Sequence, residues 1–170
     1  MVFCLKNLMS VKKINKTNAA RLLEKAGISY RLIPYEVDES DLSAVHVAES
    51  LGEEVEQVFK TLVLKGDKNG HFVCILPGDK EVDLKRAARV SGNKSCALIP
   101  MKELLPVTGY IRGACSPLGM KKQLPTYIHE SCLRYPYIYV SAGVRGLQIE
   151  ICPNELIGLV KAEVCMLLNE

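Results

Sequence analysis

The chain has 170 residues, a length that suits one domain and can bury a core without disulfides or metal. Hydrophobic residues make up 48% and charged residues 24%, which excludes a disordered chain, and no apolar run reaches the ~18 residues that a membrane-spanning helix needs. The net charge of +3 is unevenly spread: residues 36–56 carry eight acids and no Lys or Arg, whereas residues 57–146 hold 14 bases against six acids, a section that would attract a polyanion.

Residues 1–15 read as a flexible basic leader. Lys6 interrupts the apolar start too early for a signal peptide, so the expected location is cytoplasmic. The spacing predicts a first helix over 18–26, capped by Thr17 and stopped by Gly27, and a strand over 28–37. A short helix follows over 43–51, with Ser43 as cap and Gly52 as stop. Residues 58–65 and 71–76 read as a hairpin turned by 66–70. Asp83 caps a helix that places Leu84, Ala87 and Ala88 inside and ends at Gly92. Another short helix is expected over 101–105, then strands over 127–129, 137–140 and 147–152. Pro153 opens a last helix with Leu156, Leu159 and Val160 on one face. Short strands mixed with short helices predict one α/β or α+β domain around a mixed sheet.

The seven cysteines are odd in number, irregular in spacing and without a C-x-x-C pair. This argues against a disulfide framework or a zinc site, and none of the three histidines has metal-ligand spacing.

Three stretches carry candidate chemistry. In the strand Val58-Phe59-Lys60-Thr61-Leu62-Val63-Leu64 the period of two puts Lys60 on a face with Leu62 and Leu64, and the opposite face is also apolar. A lysine there must snorkel, meet an anion or line a pocket. The segment from Thr108 to Gly119 holds three glycines and a proline, a shaped loop whose free N–H groups suit a carbonyl or an anion. Lys121 and Lys122 follow it. Ser141-Ala142-Gly143-Val144-Arg145-Gly146 is a second small-residue loop at strand ends, where pockets form. A fourth reading makes Cys115 a thiolate nucleophile with His46 or His129 as base.

Taken together, Lys16-Thr-Asn-Ala-Ala20, Val58-Phe-Lys-Thr-Leu-Val63, Gly113-x-x-x-Pro117 and Tyr139-Val-Ser-Ala-Gly143 with Arg145-Gly146 resemble the YbaK/EbsC family of trans-acting aminoacyl-tRNA deacylases. They are also similar to the editing domain inserted in bacterial prolyl-tRNA synthetase. The likeness spans nearly the whole chain, and Gly113-Ala-Cys-Ser-Pro-Leu-Gly-Met-Lys-Lys122 resembles the YbaK branch, which clears Cys-tRNA(Pro). The resemblance implies a single domain over 16–165, built as a six- or seven-stranded mixed, barrel-like sheet surrounded by helices. It implies hydrolysis of the ester that joins an aminoacyl group to the tRNA 3′ ribose. By the same likeness Lys60 engages the 3′-terminal adenosine or its phosphate, with Thr61 beside it. Gly113 opens a loop, with Ala114, Cys115 and Pro117, whose backbone binds the aminoacyl carbonyl. Ser141 is the pocket serine, near Gly143, and Tyr35 lines the site. The substrate's own thiol attacks the ester. The resemblance implies no cofactor and no metal; the partners are aminoacyl-tRNA and prolyl-tRNA synthetase. Gln148 departs from the acidic residue common after the Arg-Gly-Leu run, which leaves amine recognition by a carboxylate open there. The competing readings are a deacylase of Ala- or Ser-tRNA, a tRNA- or synthetase-binding module without turnover, and a Cys115 hydrolase of small esters.

Overall fold

A computed structural model describes residues 16–169; the expected leader over 1–15 lies outside the described residues. Helix α1 (Asn18–Lys25) starts where the Thr17 hydroxyl accepts the Ala20 N–H at 3.2 Å, and it buries Ala19, Ala20 and Leu23. Strand β1 (Tyr30–Pro34) follows, then α2 (Ala44–Leu51), which is capped by Ser43 and ended by Gly52. The hairpin β2 (Phe59–Gly66) and β3 (Gly70–Pro77) stands at the centre of the molecule. Next come α3 (Leu84–Val90), capped by Asp83, then β4 (Cys96–Leu98) and α4 (Met101–Thr108). The chain closes with β5 (Thr126–His129), β6 (Ile138–Ser141), β7 (Leu147–Ile151), α5 (Pro153–Val160) and β8 (Glu163–Cys165).

The strands form two sheets. One has the order β1-β7-β6, all antiparallel; the other has the order β4-β2-β3-β5-β8, antiparallel at β2 and parallel from β3 to β8. The domain is thus mixed α/β, as expected. Its eight strands make no closed barrel among the described residues, and the sheets touch through a Val58–Tyr139 bridge.

Strand β2 lies between two cores, which is why both of its faces read as apolar. Phe59 and Val63 join Val73, Ile75, Ile128 and Ile149 on one side, while Leu64 joins Phe72, Cys74 and Leu76 on the other. A third cluster sets Val47 and Ala48 of α2 against Val58 and Tyr139. Gly78 allows this last contact, because a Cβ there would stand 2.0 Å from the Ala44 Cβ and 3.0 Å from the Val58 carbonyl.

Local signals missed two strands and one helix end. Strands β4 and β8 have three residues each and mostly exposed side chains, so no period of two develops. Helix α4 runs past Pro106 to Thr108. The carbonyl that the proline cannot serve belongs to exposed Lys102, and the last turn is held by Thr108 Oγ1 donating to Leu104 O at 2.7 Å and Gly109 N donating to Leu105 O at 2.8 Å.

Candidate active site

The first half of β2 has a gap along one edge. Strand β4 pairs only with Leu64–Gly66, and β6 reaches only Val58. Ile99 N donates to Val63 O on this edge, whereas Gly78 N takes Val58 O on the opposite one. Strand alternation therefore turns the N–H and C=O of Thr61 toward the gap. A cavity of about 480 Å³ opens there, within the ~300–1,000 Å³ range of small-molecule sites. Its walls come from Leu42, Ser43, Ala44 and Val47 before and within α2, from 58–63 and Gly78, from Leu98, Ile99, Met101 and Leu104, from Arg112, Gly113 and Cys115, and from Ser141 and Gln148.

Lys60 brings an ammonium to this wall. Burial pushes its pKa below the ordinary lysine value, and Asp79 and Glu81 oppose that shift more weakly. The charge is therefore held at a desolvation cost that an anionic ligand would relieve. Thr61 Oγ1 and Gln148 Oε1 are buried without a hydrogen-bond partner, so this half-built polar surface suits a ligand with both donors and acceptors. The lining holds no Asp, Glu or His. Burial raises the Cys115 thiol to about 12, outweighing a hydrogen bond with Thr108, so it stays protonated at neutral pH.

The loop opposite β2 is fixed from behind. Ser141 Oγ donates to Ala114 O at 2.8 Å and accepts from Gly143 N at 3.1 Å. Arg145 Nε donates to Arg112 O at 2.9 Å. Gly113 sits between, at φ +81°, where a Cβ would meet Arg145 Nε and Leu42 Cδ1 at 3.3 Å each. Glycine is needed there both for the left-handed backbone and for the close approach of the Arg145 side chain.

The site thus gathers a half-buried ammonium, open strand amides and a braced glycine loop around one small cavity. Residues 39–159 match the model of the aminoacyl-tRNA editing domain. The chain belongs to that family. It is 47% identical over 156 residues to the Enterococcus faecalis protein named "Putative Cys-tRNA(Pro)/Cys-tRNA(Cys) deacylase EbsC", covering 91% of this chain and 95% of that one. It is 33% identical over 79 residues to a proline–tRNA ligase of Fervidobacterium nodosum, a stretch that makes up 46% of this chain and 14% of the ligase. A solved structure titled "Crystal structure of a putative trans-editing enzyme for prolyl tRNA synthetase" superposes with a TM-score of 0.79 at 28% identity, covering 92% of this chain and all of that one.

Within this editing domain, the residues singled out from sequence divide into two groups. Lys60, Thr61, Gly113, Cys115 and Ser141 line the cavity. Ala114 is buried behind the wall and serves it through its carbonyl, while Pro117 is buried outside the lining. Gly143 receives Tyr110, whose Cε1 would lie 2.8 Å from a Cβ there. Tyr35 packs in the cluster of Val47 and Tyr139, and its N–H donates to Gly146 O at 2.9 Å. His46 and His129 are outside the lining, and the buried His129 accepts Leu167 N at Nδ1. The sequence reading missed the wall formed by Leu42, Ser43, Leu98, Met101 and Leu104. Half-exposed Leu98 and Met101, apolar residues beside a short helix, are the signal that marks it.

Proposed function

We propose that this aminoacyl-tRNA deacylase acts in trans on Cys-tRNA(Pro). The observation that carries the reading is the convergence of Lys60, the Thr61 strand edge and the Gly113 loop on one cavity sized for an aminoacyl group and its ribose. The Enterococcus relative, which this chain matches over nearly its whole length, supports the substrate. The ammonium of Lys60 anchors the phosphate of the terminal nucleotide, and loop and strand N–H groups receive the ester carbonyl.

The nucleophile is assigned to the substrate. With Cys115 protonated and no carboxylate or imidazole on the wall, the cysteinyl thiol attacks its own ester carbonyl. A C–S bond forms, the C–O bond to the ribose breaks, and the thiol proton passes to the departing ribose oxygen. Water then opens the thiolactone to free cysteine. A thiol of pKa near ~8.5 supplies some thiolate at neutral pH, and positioning contributes the rest. The acidic segment 36–56 borders the cavity at Leu42 to Val47, so the tRNA backbone approaches from the side of Arg112, Lys121 and Lys122. Prolyl-tRNA synthetase is the proposed docking partner, a reading supported by the stretch shared with the ligase.

The test is a deacylation panel of Cys-, Ser-, Ala- and Pro-tRNA(Pro). Release of cysteine is expected, with serine release, where a hydroxyl replaces the thiol, near background. Comparable release of serine or alanine would assign water attack and a different substrate. Tight, salt-sensitive binding with no released amino acid would make the chain a binding module.

A further inference from the structure

The charge on the cavity wall is one-sided. Its ionisable residues are Lys60, Arg112 and Cys115, and no Asp or Glu lines it. Asp79 and Glu81 act on Lys60 but are outside the lining. Gln148 reaches this wall from the middle strand of its sheet, between Ile33 of β1 and Ser141 of β6. It is only 5% exposed, and its Oε1 has no partner. A buried amide oxygen in that position calls for a donor from a ligand. An α-ammonium entering the cavity would meet two cations and no anion, whereas an uncharged amine still offers an N–H.

We propose that the cavity takes the aminoacyl ester with its α-amine uncharged, and that the amine donates a hydrogen bond to Gln148 Oε1. The inference rests on the deacylase function proposed above. Gln148 is then a specificity-determining residue: its neutral amide accepts from the amine without favouring the protonated form, as a carboxylate would.

The experiment measures KM for Cys-tRNA(Pro) from pH 6 to 8.5, beside the 3-mercaptopropionyl ester of the same tRNA. That ester keeps the thiol and lacks the amine, and it shares any titration of Lys60. Only the uncharged fraction binds, so KM for the cysteinyl ester should fall about fivefold over the unit below the amine's pKa, while KM for the control stays flat. Gln148→Glu should reverse the trend, binding the cysteinyl ester more tightly at low pH. Gln148→Leu should raise KM for the cysteinyl ester alone. A wild-type KM that is flat or rises with pH, or a Gln148→Leu variant that weakens both esters equally, overturns the inference and leaves the deacylase reading standing. No release from either ester by the wild type refutes that reading and the inference with it.

Discussion

Replacing Lys60 by Met tests the site most directly. Methionine keeps an unbranched stem on the strand face shared with Leu62 and removes only the ammonium. The lost contact is a charge-assisted hydrogen bond to phosphate, about 1.5–3 kcal/mol, rising toward ~4 kcal/mol in a water-excluded site. At about 1.4 kcal/mol per decade this predicts a fall of about 10- to 10³-fold in kcat/KM for cysteine release, with the upper end for a water-excluded site. Stability should move the other way. Burial disfavours the charged form of Lys60, so removing the charge should leave the urea midpoint unchanged or raise it. The assay pairs cysteine release from Cys-tRNA(Pro) with urea unfolding on the same preparation. Full activity with a lowered midpoint would refute the reasoning and make Lys60 a structural residue.

Two further substitutions probe the loop. Ser141→Ala leaves Ala114 O and Gly143 N without their partner, and should cost about 1–3 kcal/mol in chemical unfolding and about tenfold in kcat as the Gly113 loop loosens. An unchanged unfolding curve would show that these bonds are dispensable. Cys115→Ala should keep cysteine release close to wild type, since the thiol is no nucleophile, and inactivation would restore the hydrolase reading. Its stability has a pH signature. The thiol titrates near 9 when unfolded and at about 12 when folded, so between these values the unfolded state holds fewer protons and stability falls as pH rises. The wild type should lose about 1.4 kcal/mol per pH unit more than Cys115→Ala above pH 9, read from urea midpoints at pH 8 and 10.5.

Most elements were legible because their signals are local. Thr17, Ser43 and Asp83 cap their helices through side-chain oxygens, and the 66–70 turn joins two strands whose apolar residues reveal themselves without tertiary help. The motif residues Lys60, Thr61, Gly113, Cys115 and Ser141 were also legible, and the fold gathers them. Tyr35, Pro117 and Gly143 illustrate the limit of such reading. Pro117 and Gly143 belong to the motifs and Tyr35 lies outside them, yet all three stand outside the cavity lining, Tyr35 packed with Val47 and Tyr139 and Gly143 against Tyr110.

Local sequence pattern was enough to predict a mixed α/β domain, its capped helices and a lysine on a central strand, because those features depend on residues close to one another in the chain, whereas the editing family entered through a resemblance spread over nearly the whole sequence. Only the folded molecule decided that β2 would be left half unpaired between β4 and β6, and that Leu42, Leu98, Gly113 and Gln148 would meet across that opening. A cavity is made by what long-range packing fails to fill, and no local period or cap in the chain encodes an empty space.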